Sequence, residues 1–122
     1  MRFPLAVKLK SIAIDKESLD IISKVFPTKQ ESVLQIRAIA KQDGRIKKII
    51  LFGSAITLKC GDTSDIDIAI DADVSREDFP YQIMREFADV QSEKDILNYN
   101  DIHSDLLKES INKGVCIYAK RP

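Results

Sequence analysis

The chain lacks an excess of charge of either sign, and it has few cysteines. Lys plus Arg and Asp plus Glu both number 19, so the formal net charge is zero. A general positive field that would draw the chain onto nucleic acid or an anionic membrane is therefore absent. The two cysteines, Cys60 and Cys116, are not spaced as paired zinc ligands. We expect no direct nucleic-acid partner, no membrane partner and no zinc site.

Long apolar runs are missing as well. No stretch approaches the roughly 20 apolar residues of a membrane-spanning helix. The apolar start, Phe3–Val7, is too short for a secretory signal and is followed by Lys8 and Lys10. The sequence contains no internal repeat and no low-complexity tract. The length of 122 residues fits one domain, and we expect this domain to lie in a reducing cytoplasm.

Helix and strand signals are present and alternate along the chain. They predict a small mixed β-sheet flanked by helices, an α/β (α+β) fold. Helices are predicted over residues 15–26, 28–44, 75–87 and 101–114. Strands are predicted over residues 47–52, 66–70, 95–99 and 115–118. We expect Asp15 and Asp101 to cap the first and last helices, and Thr28 with Glu31 to form a capping box.

The first predicted strand ends in a glycine and a serine. The apolar run Ile49–Phe52 is typical of a buried strand, and Gly53 and Ser54 follow it directly. Glycine lets backbone N–H groups approach a phosphate without a side chain in the way. A serine hydroxyl at this point can donate a hydrogen bond to a phosphate oxygen. The strand end is therefore a candidate phosphate-binding loop.

Two aspartates, Asp65 and Asp67, open the second predicted strand. Side chains alternate between the two faces of a strand, so both carboxylates share one face with their Cα atoms about 6 to 7 Å apart. Two carboxylates at this separation can reach one hard cation such as Mg²⁺. An Asp-X-Asp pair is also common in turns and at solvated strand edges. The Gly53-Ser54 pair, with ten residues between it and Asp65, favours the cation site.

The combination Gly53-Ser54, ten residues and Asp65-Ile66-Asp67 resembles the signature of the minimal nucleotidyltransferases. These proteins are a branch of the polymerase-beta-like nucleotidyltransferase superfamily. The resemblance extends to the helix before the first strand, to Ser64 and to the strand that begins at Asp95. It covers residues 31–118, which would form the catalytic core.

The resemblance implies a reaction and a set of metal ligands. The single domain 1–122 would consist of the core and a helical N-terminal extension over residues 1–26. The reaction would transfer a nucleotide from ATP with the help of two Mg²⁺ ions. Asp65, Asp67 and Asp95 would hold the ions, and Asp95 would also take the proton of the acceptor hydroxyl.

The resemblance also implies contacts to the nucleotide. Gly53, Ser54 and Ser64 are the implied phosphate-binding residues, all at positions that match the signature. Family members usually carry a small residue, an arginine and a glycine soon after the serine, whereas this chain has Ile56–Leu58 there. Lys59 is the residue that would supply the positive charge of the absent arginine.

Small stand-alone nucleotidyltransferases of this kind often act as antitoxins. They adenylylate a tyrosine of a partner toxin, a ribonuclease with a HEPN domain. The resemblance therefore implies transfer of AMP from ATP to a HEPN-type toxin. Two alternatives stay open: a catalytically inactive antitoxin that works by binding only, which the altered loop favours, and adenylyl transfer to a small molecule such as an aminoglycoside.

Overall fold

The computed structural model describes residues 2–5, 15–57 and 65–121. Helices and strands follow one another in an order that confirms the predicted α+β class. The helices of this part of the chain are α1 (Lys16–Ile22), α2 (Gln30–Gln42), α3 (Phe79–Gln82) and α4 (Asp105–Asn112). The strands are β1 (Ile46–Phe52), β2 (Ile66–Ala72), β3 (Lys94–Asn98) and β4 (Val115–Ala119). Short 3₁₀ helices lie at Pro27–Lys29, Gly53–Ile56, Met84–Phe87 and Tyr99–Asp101.

The four strands form one mixed sheet in the order β3-β2-β1-β4. β1 lies antiparallel to β2 and to β4, whereas β2 and β3 are parallel. β1 and β2 occupy the centre, and both are rich in isoleucine, whose branched side chain packs well on a pleated surface. This topology places the end of β1 beside the starts of β2 and β3.

The two faces of the sheet carry separate hydrophobic clusters. On one face, Ile66, Ile68 and Ile70 are fully buried in the main core together with residues of α1 and α2, which confirms the predicted core face of β2. On the other face, Ala69 packs in a smaller cluster with Ile111 of α4. No helix in the described residues is both long enough and apolar enough to cross a membrane.

The start of α1 is capped as predicted. The Asp15 Oδ1 atom accepts a hydrogen bond of 2.7 Å from the Ser18 N–H. The helix ends at Ile22, four residues before its predicted end. Phe26 instead packs its ring edge-on against Phe3, with ring centroids 5.7 Å apart, so the apolar start of the chain is covered at Phe3.

Two other predicted caps are wrong. Pro27 begins a 3₁₀ helix that includes Thr28, so α2 starts only at Gln30 and Thr28 does not cap it. Asp101 lies in the 3₁₀ helix that follows β3. The N-cap of α4 is Ser104, whose hydroxyl accepts a hydrogen bond from the backbone three residues later. In both regions, residues that the sequence pattern assigned to an α-helix instead form a short 3₁₀ helix.

Candidate active site

Both its backbone conformation and its surroundings require glycine at position 53, where β1 ends. The φ angle of Gly53 is 77°, in the left-handed region that glycine adopts without strain. A methyl group on its Cα would also overlap Oδ2 of Asp67. Glycine therefore allows the chain to turn here while its backbone lies against the Asp67 carboxylate.

Ser54 follows in the 3₁₀ helix Gly53–Ile56. Its carbonyl accepts hydrogen bonds from the Thr57 N–H at 3.0 Å and from the Thr57 hydroxyl at 3.2 Å, which together close the turn. The Ser54 hydroxyl itself makes no hydrogen bond to any residue that the structure describes. It is therefore available to a ligand beside Gly53.

The sheet register brings Asp67 and Asp95 directly opposite each other. Phe52 is paired with Asp67 across the β1–β2 ladder, and Asp67 is paired with Asp95 across the parallel β2–β3 ladder. Neighbouring strands lie about 4.8 Å apart, and paired residues point to the same face. Asp65 precedes Asp67 by two residues, the spacing that keeps side chains of an extended chain on one face. We call Asp65, Asp67 and Asp95 the carboxylate cluster.

The carboxylate cluster has no basic partner among the residues that the structure describes. None of the ion pairs among the described residues includes Asp65, Asp67 or Asp95. Burial raises the pKa of the Asp67 carboxyl, and the negative charges of Asp95 and Asp65 raise it further. No described residue compensates the repulsion within the cluster, and a bound cation would relieve it.

The donor set fits a hard divalent cation such as Mg²⁺, because carboxylate oxygens are the ligands that such ions prefer. The side chains do not form a complete metal cage: across residues 2–5, 15–57 and 65–121, no group of three or more His, Cys, Asp or Glu is arranged to hold an ion. Mg²⁺ in nucleotide sites is commonly held by one or two carboxylates together with substrate phosphates and water. The carboxylate cluster meets that requirement when a triphosphate supplies the remaining oxygens.

Asp71 shares the face of Asp67, as the strand alternation predicts, but it lies outside the cluster. At about 3.3 Å per residue, four residues along β2 place it about 13 Å from Asp67. Its Oδ1 accepts a hydrogen bond of 2.8 Å from Asn100 Nδ2. Next to it on the sheet, the Lys48 ammonium lies 4.5 Å from the centre of the Tyr99 ring. The sequence gives no signal for these contacts, which depend on the turn after β3.

Two predicted nucleotide-binding residues, Lys59 and Ser64, lie outside the described residues, as does Leu58. Their assignment stays a prediction. Of the loop residues that depart from the family pattern, Ile56 packs against the main core and Thr57 is exposed.

Comparison with known protein families gives one match. The family described as polymerase beta, nucleotidyltransferase matches residues 34–122, which is more than half of the chain. The matched segment includes the turn at Gly53 and all three residues of the carboxylate cluster. No curated protein matches the chain.

Proposed function

The chain belongs to the polymerase beta nucleotidyltransferase family, and we propose that it transfers AMP from ATP to a tyrosine hydroxyl of a HEPN-type toxin. In this proposal it requires Mg²⁺, works in the cytoplasm and acts as the antitoxin of that partner. The observation that carries the proposal is the carboxylate cluster, which lies beside the Gly53 turn and has no basic partner among the described residues. A Mg²⁺-bound triphosphate offers the positive charge and the phosphate oxygens that fit this arrangement.

The proposal assigns roles to the residues of the site. Asp65 and Asp67 hold the divalent ions, and Asp95 completes the ion site nearer the acceptor. The Gly53 backbone and the Ser54 hydroxyl hold the terminal phosphates of ATP. Bound Mg²⁺ neutralises the charge that develops on the phosphates during transfer.

The proposed transfer is an in-line displacement at the α-phosphorus of ATP. The acceptor oxygen forms a bond to this phosphorus while the bond from the phosphorus to the bridging oxygen of pyrophosphate breaks. Pyrophosphate leaves with the electron pair of the broken bond. Asp95 takes the proton of the acceptor hydroxyl, as a general base within reach of the attacking oxygen.

The exposure of the carboxylate cluster supports a protein acceptor. Asp65 and Asp95 are both exposed, so a side chain of another folded protein can approach them from solvent. The tyrosine hydroxyl lies at the end of a long, rigid side chain, which allows the partner backbone to stay outside the cluster. A partner of this kind contributes the acceptor and one wall of the completed site.

Label transfer tests the proposed function. The full chain is incubated with α-labelled ATP, MgCl₂ and the product of the gene adjacent to its own, and the label on that protein is measured. Asp67→Asn should lower the labelling rate by about 1000-fold, because it removes a charged ligand from the cluster. Asp71→Asn is the matched control, since it makes the same change on the same strand face, and it should label at the wild-type rate. Equal rates for the two variants would contradict the assignment of Asp67.

A binding-only antitoxin is the second candidate, and the loop after Ser54 favours it. Ile56 and Thr57 stand in the stretch where the family usually has small and basic residues. Under this alternative, the double variant Asp65→Asn/Asp67→Asn still binds the HEPN protein and inhibits its ribonuclease activity. An enzyme would lose this protection with either single change. A pull-down combined with a ribonuclease assay therefore separates the two candidates.

A further inference from the structure

Arg37 of α2 is a buried cation that no carboxylate in the described part of the chain neutralises. It is only 3% exposed. Its Nε donates a hydrogen bond of 3.1 Å to the Ser18 hydroxyl of α1, and its Nη1 donates to the Ile117 carbonyl of β4. None of the ion pairs within the described part of the chain includes Arg37. A buried charge without a counter-charge is costly, so an anion bound beside Arg37 would be stabilising.

Arg37 borders a cavity of about 180 Å³, which we call the Arg37 pocket. The other residues that line it are Glu17, Lys41, Tyr118, Ala119 and Arg121. A guanidinium has five N–H donors, and Nη2 of Arg37 makes no hydrogen bond to a described residue. In the whole described part of the chain, the one fully buried side-chain polar atom without a hydrogen-bond partner is Oε2 of Glu86, which lies outside the pocket. Nη2 of Arg37 is not such an atom, so it is partly accessible, and Arg37 lines the pocket.

The Arg37 pocket has more positive than negative charge around it. Lys41 pairs with Asp15 at 3.2 Å, and Arg121 pairs with Glu17 at 2.8 Å. Arg37 is a third cation without such a carboxylate. The side chains of Lys41 and Arg121 are 48% and 83% exposed, so both can turn toward a bound anion.

We propose that the Arg37 pocket binds a phosphate group, either inorganic phosphate or the terminal phosphate of a monoester. The planar guanidinium fork matches the spacing of two oxygens of such an anion. The cavity of about 180 Å³ far exceeds the about 15 Å³ that one water needs, so a tetrahedral anion has room. Phosphate presents oxygens to Arg37, Lys41 and Arg121 together, whereas a carboxylate has only two oxygens for three cations.

This site goes beyond the proposed nucleotidyl transfer. The pocket lies between α1, α2 and β4, whereas the carboxylate cluster lies at the starts of β2 and β3. β4 and β3 are the opposite edges of the sheet. A phosphate in the Arg37 pocket is therefore a separate ligand from the triphosphate donor.

Calorimetric titration of inorganic phosphate into the full chain tests the proposal, with EDTA present and ionic strength held constant. Saturable binding is expected. Lys41→Ala and Arg121→Ala should each weaken it about tenfold, because each removes one charge-assisted hydrogen bond. Lys113→Ala is the matched control, since Lys113 also forms an exposed ion pair of 3.2 Å, with Glu109. This control should bind phosphate with wild-type affinity.

Further variants and ligands complete the test. Arg37→Met should abolish binding, with circular dichroism to show that the variant folds; if it does not fold, the two exposed variants still decide. Tighter binding of AMP than of phosphate, weakened by Arg121→Ala, would identify a monoester as the ligand, and weaker binding would identify free phosphate. The proposal is overturned by a lack of saturable binding, by acetate binding as tightly as phosphate, or by affinities that Lys41→Ala and Arg121→Ala leave unchanged.

Discussion

The two ends of β1 hold carboxylates under opposite conditions. At the carboxyl end, the carboxylate cluster pairs with no basic residue in the described part of the chain, and its charges contribute to a raised pKa of Asp67. Just before the amino end, Asp43 accepts hydrogen bonds from the Arg45 backbone N–H at 2.9 Å, from Nε at 3.0 Å and from Nη2 at 2.8 Å. These bonds lower the pKa of Asp43. One end is neutralised within the fold, whereas no described residue neutralises the other.

Glu86 completes the group at the amino end, which we call the Arg45 cluster (Asp43, Arg45 and Glu86). Burial raises the pKa of Glu86 to about 7, and the neighbouring Asp43 raises it as well. Oε2 of Glu86 is fully enclosed and has no hydrogen-bond partner among the described residues. When Glu86 is protonated, its carboxyl group can donate a hydrogen bond to Asp43. In the Arg45 cluster, an arginine and a proton reduce the repulsion between carboxylates that lie close together. A carboxylate cluster with neither of these among its described neighbours is suited to bind a metal ion.

Alanine substitutions of the two glycines that flank β1 should show the largest difference in stability between its two ends. Gly53→Ala would have to adopt a φ of 77° and overlap Asp67 Oδ2, so the free energy of unfolding should fall by about 3 kcal/mol. A Cβ on Gly44 would meet Lys120 Nζ at an ordinary distance of 3.8 Å. Gly44→Ala is therefore the matched control and should change stability by less than about 1 kcal/mol. Urea unfolding measures both variants, and equal losses would contradict the close approach at Gly53.

Neutralising a carboxylate that has a partner should give the next largest effect. Asp43→Asn should lower the free energy of unfolding by about 2 kcal/mol at pH 7, less than for a fully buried pair because Arg45 is partly exposed. The lowered pKa of Asp43 means that its contribution is present above the ordinary value of 3.8 and is lost as the pH falls. The difference between variant and wild type should therefore shrink in acid. Asp89→Asn, an exposed control, should change stability by less than about 0.5 kcal/mol at either pH.

The pH dependence of the free energy of unfolding tests the role of Glu86. Its raised pKa means that the stability it contributes is present below the ordinary value of 4.5 and is lost as the pH rises through about 7. Glu86→Gln cannot ionise, so at pH 8 it should unfold with a free energy about 1 kcal/mol above wild type. At pH 4 the two proteins should be equally stable. Thermal unfolding at several pH values measures this, and a gain at pH 4 as large as at pH 8 would argue against a buried titrating carboxyl.

The smallest effect is expected from neutralising a carboxylate that has no partner. Because the pKa of Asp67 is raised, its ionisation costs stability as the pH rises through its folded value. Asp67→Asn should therefore increase the free energy of unfolding by about 0.5 kcal/mol in EDTA at pH 7. With MgCl₂ and a non-hydrolysable ATP analogue the order should reverse, because only the wild type gains stability from the ligand. A loss of stability in EDTA would indicate that a basic residue already neutralises the cluster.

Much of the fold could be predicted because it depends on local residues. The apolar runs place all four strands within two residues of their observed bounds, and Asp15 caps α1 as predicted. The pairing of Asp67 with Asp95 depends on the parallel register of two strands that are distant in the sequence, and no local pattern encodes that register. Capping by Thr28 failed because a preceding proline started a different turn. Local patterns thus gave Asp65 and Asp67 as candidate site residues and the family resemblance added Asp95, whereas the sheet register pairs Asp67 with Asp95.

The burial of Arg37 could have been predicted from the helical spacing of the buried residues of α2. Val33, Ile36, Arg37 and Ala40 recur at the spacing of one helix face, so the sequence already places a charge within the buried stripe of α2. The group that it contacts on β4 is a carbonyl 80 residues later in the sequence. That contact, and the pocket beside it, depend on the tertiary fold.

Because β3 lies at the edge of the sheet, we expect it to open locally more often than the central strand β2. β2 is hydrogen-bonded to a neighbour on each side, whereas β3 has one neighbouring strand in the described part of the chain. Amide protons of β3 should therefore exchange with solvent deuterium sooner than those of β2, because the edge strand can open locally without the centre. Asp95 lies on an edge strand, while Asp67 lies on a central strand. We therefore expect the backbone around Asp95 to open locally more often than the backbone around Asp67.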